Sequence, residues 1–204
     1  MGKSNGNGRL FHADGDIYEG EWVMDKAHGT GIYIHNDGSQ YTGKWKNDKQ
    51  TGQGIETWPD GAKFEGNYLN GLKSGEGKFI WVDKSEYEGY FKNNKMDGHG
   101  TYKWGDGRIY NGEWVDGKMQ GKGVFTWPDG RKYVGDYIDD KKEGYGEFSW
   151  PNGQVYKGQW ANGKQHSSGV FINETGMSKR GIWRQGKREK WTSSAKKALN
   201  SIIK

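Results

Sequence analysis

Three stretches of this 204-residue chain carry the glycine and lysine spacing of a phosphate-binding loop, G-x-x-x-x-G-K, at 112–118, 158–164 and 181–187. Phosphate chemistry there needs a Ser or Thr next, whose hydroxyl holds Mg2+, and a helix whose N-terminus faces the phosphates. The residues that follow are Met119, Gln165 and Arg188, and strands are expected there. A nucleotide site is therefore not expected. The chain has no cysteine, so disulfides, Cys-based zinc sites and a thiol nucleophile are excluded. Its five histidines are His12, His28, His35, His99 and His166. His12 and His35 stand in a column that elsewhere holds Trp58, Trp81, Trp104, Trp127 and Trp150. They read as the ends of a ring ladder, since a metal site needs converging ligands. Asp139, Asp140 and Glu143 lie among lysines in a turn. With no catalytic constellation, no enzyme activity, cofactor or metal is expected.

Rings interleaved with Lys and Arg can stack nucleobases, but that binding leans on phosphate neutralisation. The net charge is +5, and residues 187–204 hold six basic side chains against one acid. The rest of the chain is balanced, which argues against a nucleic-acid partner.

The elements that position these residues repeat. Tyr18, Tyr41, Phe64, Tyr87, Tyr110, Tyr133 and Tyr156 are each 23 residues apart. Glycine follows two residues on, from Gly20 to Gly158, and again at Gly181. Two further comes a large ring: Trp22, Trp45, Tyr68, Phe91, Trp114, Tyr137, Trp160 and Trp183. A second column reads G-x-G from residue 6 and then from 29 to 144. A search for periods precedes any assignment of elements. Counted from the G-x-G, units begin at 6, 29, 52, 75, 98, 121, 144 and 167, so the array is read as 1–189.

Each unit reads as a β-hairpin. Tyr110, Gly112 and Trp114 share one face of a strand, as do Gly121, Gly123, Phe125 and Trp127,. The turn chemistry of "VDGKMQ" and "PDG" separates them,. Apolar residues make up only 31% of the chain, while Trp, Tyr and Phe number 11, 12 and 7. A lone sheet must bury its rings on itself, and a glycine near a ring leaves a flat gap for a ring of a neighbouring strand.

The pattern YxGxW, a polar turn, GxG, a ring and DG resembles the MORN repeat (membrane occupation and recognition nexus) over residues 6–189. Lys84 replaces a turn glycine in the fourth unit, and Ser167, Asn173 and Lys179 degrade the last. The resemblance implies an all-β fold: an elongated single antiparallel sheet of repeated hairpins, bearing a groove. Members occur in junctional membrane proteins, lipid kinases, histone methyltransferases, axonemal proteins and cytoskeletal scaffolds. No kinase or methyltransferase pattern accompanies the array, so a stand-alone adaptor is implied. The expected function is a scaffold holding a peptide or helix of another protein on the ring-lined groove, in a cytoskeletal or ciliary assembly. Trp81, Phe91, Trp104, Trp114, Trp127 and Tyr137 of the most regular repeats are the expected partner-binding rings, although some rings must be core.

Residues 190–204 carry Trp191, Ala195, Ala198, Leu199, Ile202 and Ile203 at helical spacing, with Ser193 or Ser194 placed to cap,. A short C-terminal helix is predicted. It either covers the open sheet edge or anchors to acidic phospholipid through Lys187, Arg188, Lys190, Lys196 and Lys197, making the protein a peripheral membrane adaptor. Self-association through an uncovered edge would give a homo-oligomer. With no apolar run of ~20 residues and no signal-peptide pattern, a cytoplasmic protein is expected.

Overall fold

The computed structural model describes residues 2–197. The fold is all-β, an open antiparallel sheet of hairpin repeats, with no helix among the described residues. Contacts divide the chain into two compact units, Met1–Gly105 and Asp106–Lys204. The first holds β1 (Gly6–Phe11), β2 (Ile17–Val23), β3 (Lys26–Ile34), β4 (Gln40–Lys46), β5 (Lys49–Thr57), β6 (Lys63–Leu69), β7 (Leu72–Ile80), β8 (Glu86–Lys92) and β9 (Lys95–Lys103). The second holds β10 (Ile109–Val115), β11 (Lys118–Thr126), β12 (Lys132–Ile138), β13 (Lys141–Ser149), β14 (Val155–Ala161), β15 (Lys164–Ile172), β16 (Met177–Arg184), β17 (Lys187–Trp191) and β18 (Lys196–Lys197). Within each unit, strands from β1 to β9 and from β10 to β17 pair with their neighbours in chain order.

Two-residue turns close the hairpins. Asp116 and Gly117 have φ of 50° and 82°, and Asn47 and Asp48 have 51° and 65°. Two positive values in succession mark the type I′ turn, whose twist matches the flanking strands. Such turns are also tied to the strand before them. Asp48 donates its N–H to the Ala27 carbonyl at 3.1 Å, and its Oδ1 accepts the Ala27 N–H at 2.8 Å. Asp140 repeats both bonds with Met119, at 3.1 and 2.8 Å.

The register pairs ring with ring and glycine with glycine. Tyr110 faces Phe125, Gly112 faces Gly123, and Gly123 faces Gly135 on its other side. Glycines thus form a row across the strands of each unit. Tyr110 is fully buried and lies over this row, so a Cβ on Gly123 would sit 2.4 Å from its Cε2. The covering ring comes from the strand of Gly112 itself, two residues earlier. It spans its own glycine and also, as the sequence suggested, the paired glycine of the neighbouring strand. Burying a ring of ~150–250 Å2 at ~25 cal/mol per Å2 yields about 4–6 kcal/mol. The cost of glycine in a strand is about 1 kcal/mol. The ring decides the residue.

Just past the row the register slips between Gly112 and Glu113. The extra residues include Gly121 at φ 63°, a bulge that turns the strand. The Tyr110 hydroxyl donates to the Glu113 carbonyl beside this slip at 3.1 Å. Tyr41 does the same to Lys44 at 3.0 Å and Tyr133 to Asp136 at 3.1 Å. From Gly29 to Gly144, the first glycine of the G-x-G occupies the bulge and not the regular strand face read from the sequence.

The predicted C-terminal helix is corrected over residues 190–197. Gln185 and Gly186, at φ 48° and 83°, turn the chain back, and β17 pairs with β16. Trp191 packs 5.9 Å from Trp183. Ser193 accepts the Arg180 N–H at 3.0 Å instead of capping a helix, and β18 pairs with the start of β16. The open edge of β16 offers backbone partners and ring contacts that override a short helical pattern. The remainder of the predicted helix, 198–204, lies outside the described residues.

Candidate functional site: two ladders of rings

The sheet in each unit carries two ring ladders of different character. The inner ladder alternates the two columns flanking the glycine row. In the second unit it runs Trp114, Tyr110, Tyr137, Tyr133, Trp160, Tyr156 and Trp183, with centroids 4.9–5.5 Å apart and planes crossed at 73–89°. Such edge-to-face pairs satisfy ring quadrupoles. In the first unit Tyr18, Trp45, Tyr41, Tyr68, Phe64, Phe91 and Tyr87 continue the same pattern. All these rings are at most 8% exposed. Where the column holds tryptophan, the indole N–H also finds a partner: Trp45 and Trp160 donate to the Gly31 and Gly146 carbonyls at 3.2 Å. Burial pushes the Tyr156 and Tyr41 hydroxyls up to about 12, so these phenols stay neutral donors.

The outer ladder lies at the strand ends, and its tryptophans are half-buried. In the first unit Trp58, Phe79 and Trp81 stack at 5.3 and 4.4 Å with planes within 30° of parallel, and Tyr102 and Trp104 follow at 5.2 and 4.5 Å. In the second, Phe125, Trp127, Phe148 and Trp150 follow at 4.4, 5.5 and 4.6 Å. Trp58, Phe79 and Trp81 line an open cleft of about 490 Å3 with Ala62 and Val82, and Asp60 and Asp83 stand on its rim. The hydroxyl and N–H of Ser85 hold the Asp83 carboxyl below the usual carboxylate range, so this rim is anionic at neutral pH. Each of these tryptophans keeps part of its surface open to solvent.

The six expected partner-binding rings therefore divide. Phe91, Trp114 and Tyr137, at 6%, 4% and 2% exposure, are inner-ladder core, because the glycine row lets their neighbours close over them. Trp81, Trp104 and Trp127 belong to the outer ladder. His12 and His35 flank Tyr33 at 5.8 and 4.7 Å, closing the ladder's first end. Asp139 pairs with Lys118 at 2.9 Å, and Glu143 accepts the Asn162 N–H at 2.8 Å. Both carboxylates are engaged with a neighbouring repeat. Lys187, Arg188 and Lys190 are exposed on β17, with Arg188 4.2 Å from the Trp191 ring. A strand sends them alternately to opposite faces, so they do not form one basic helix face.

One cluster escaped the sequence reading. In the ring column of Tyr33, Phe79 and Phe125, residue 56 is a glutamate. Its carboxylate meets the Lys73 ammonium among Trp58, Phe64 and Tyr68. A carboxylate in an aromatic column was the available signal. Among the described residues no group of three or more His, Asp or Glu could hold a metal ion. Nor is any helix there long and apolar enough to cross a membrane.

A family model described as "MORN repeat" matches residues 18–40, 41–63, 64–86, 87–107, 110–130, 133–155 and 156–178. Among curated proteins none matches the sequence. The TCP10 domain of Danio rerio CPAP is a similar solved structure, with TM-score 0.50 and 13% identity over 94% of each chain. That likeness is one of fold. The TCP domain of Drosophila melanogaster SAS-4, solved in complex with a proline-rich motif of another protein, has TM-score 0.49 and 11% identity over 87% of this chain and 90% of that one.

Proposed function

The chain belongs to the MORN-repeat family, and on that premise we propose that it is a non-enzymatic scaffold holding a segment of another protein along its outer ring ladder. One observation carries the reading. The inner ladder already supplies the buried core, with seven crossed rings in each unit at most 8% exposed, whereas the outer tryptophans remain half-open in rows of neighbouring rings. Rigid rings lose little side-chain entropy on binding, and Trp and Tyr are the usual hot spots of interfaces. A cytoskeletal or ciliary assembly is the setting we propose, from the resemblance to stand-alone members of the family.

The test uses the full chain as bait in its native source. Captured proteins are identified by mass spectrometry, purified and titrated. Trp81→Ala, Trp104→Ala and Trp127→Ala are each expected to weaken the purified interaction about tenfold or more, about 1.4 kcal/mol, while the variants stay folded. If none of the three weakens binding, the working surface lies elsewhere, in the turns or the basic C-terminal segment.

A further inference from the structure

The chain builds the same cation box twice, three repeats apart, and only one copy is complete. In the first unit the Lys73 ammonium lies 5.0, 5.2 and 5.6 Å from the ring centroids of Phe64, Trp58 and Tyr68. Glu56 completes the box, its Oε2 meeting the ammonium and accepting the Tyr68 hydroxyl at 2.9 Å. The pair is withdrawn from water, with side chains only 14% and 17% exposed. Sixty-nine residues on, the same positions hold Lys142, Tyr133, Trp127 and Tyr137, but Phe125 stands where Glu56 would.

The second unit rebuilds the rings and the cation and omits the acceptor. Lys142 Nζ is 4.9 Å from Trp127, 5.1 Å from Phe148 and Trp160, and 5.2 Å from Tyr133. Phe125 is 7% exposed and fills the place of the carboxylate. The Tyr137 hydroxyl, buried like that of Tyr68, has no hydrogen-bond partner. Among the described residues no carboxylate pairs with Lys142. Burial, and then the like charge of Arg131, push its ammonium down to about 8.

Ring faces attract a cation but do not replace a counter-ion for a group partly removed from water. An anion arriving here recovers that deficit, which an exposed lysine does not offer. Lys142 is itself only half-buried, and Trp127 and Phe148 of its box belong to the outer ladder.

We propose that Lys142 is the receiving point for a carboxylate of the bound partner, an Asp or Glu side chain lying along the outer ladder of the second unit. The partner supplies from outside what Glu56 supplies from within to Lys73. This inference rests on the reading that a partner segment lies on that ladder.

The test needs no native partner. In the full chain with 13C-labelled lysine, the Lys142 Cε resonance, assigned through Lys142→Met, is followed while the acidic peptide acetyl-Glu-Glu-amide is added. Acetyl-Gln-Gln-amide serves as the uncharged control. A saturable shift is expected with the acidic peptide, at least tenfold weaker with the control. Phe125→Glu, which places an internal carboxylate as Glu56 does, is expected to abolish the shift. Lys142→Met keeps the stem among the rings, and peptide affinity read by tryptophan fluorescence is expected to fall at least tenfold. No saturable shift, a shift that survives in a folded Phe125→Glu protein, or an unchanged affinity in Lys142→Met overturns the proposal. If the peptide fails while the outer tryptophan variants still weaken partner binding, the anion site alone falls. If the peptide binds Lys142 and those variants leave partner binding intact, the ladder reading falls and the anion site remains.

Discussion

The covering of glycine by a ring makes a prediction that a double-mutant cycle can read. Phe64 is fully buried, and a Cβ on Gly77 would lie 2.6 and 2.7 Å from its Cζ and Cε2. The next atom it would meet is the Glu65 carbonyl oxygen at 3.4 Å, which is tolerable. In Gly77→Ala the ring must therefore retreat by about 0.7 Å toward Tyr68 and Phe91, whose centroids stand 5.4 and 5.1 Å away. Overpacking of this kind costs about 1–3 kcal/mol. Phe64→Ala alone costs about 3–5 kcal/mol. In the double variant the clash has gone, and alanine regains about 0.5–1 kcal/mol over glycine in a strand. The double variant should then be no less stable than Phe64→Ala, giving a coupling of about 1.5–4 kcal/mol. Equilibrium urea unfolding of the full chain, with midpoints compared at a common slope, measures it. Penalties that add to within about 0.5 kcal/mol refute the reasoning, because the ring would then not cover Gly77.

Other outcomes follow from the same repeats. Phe64→Tyr should stabilise the chain by about 1 kcal/mol, seen in the urea midpoint, because Tyr41 and Tyr87 in the same column donate to the carbonyl three residues on at 3.0 Å. Ser167 holds φ 56° where its column elsewhere has glycine; Ser167→Gly should gain about 0.5–1 kcal/mol in net stability, read by calorimetry as a rise of a few degrees. The Tyr33 hydroxyl, first, and then the Asn36 N–H hold the Asp16 carboxyl below the usual carboxylate range. A depressed carboxyl stabilises the fold above its ordinary pKa and loses that contribution as pH falls through the lowered one. Asp16→Asn should therefore flatten the acid limb of the stability curve below about pH 4 and leave its shape at neutral pH unchanged.

The hairpins, their turns and the family were legible because every unit repeats one period, so each local signal was confirmed by its copies. Asp116-Gly117 and Asn162-Gly163 announce positive φ in their residue types, and the structure has it. What sequence could not separate was the two ring ladders. Trp114, in β10, and Trp127, just past the end of β11, are the same residue in one hairpin, and only the glycine row decides which is closed over. The tail failed for a different reason. Its helical spacing is a local signal, whereas the free edge of β16, with Arg180 offering both an N–H and a carbonyl, is a property of the folded sheet. The Lys142 box hid because a lysine in a strand reads as a solvated face until its rings are counted.

The tie between a turn and the strand before it gives assembly a direction. A chain leaves the ribosome N-terminus first, so the N–H and carbonyl of Ala27 wait for Asp48, whose side chain and backbone fill both. Lys73 waits in the same way for Asn94, which bonds it at 2.8 and 3.0 Å. Each newborn hairpin lands on a finished template and completes its predecessor in the same event. A nascent chain halted with Asp48 outside the exit tunnel should have the Ala27 register locked, and one halted two residues sooner should not. Growth by such short steps asks no segment to find a distant partner, and it leaves the newest hairpin as the one place open to the next.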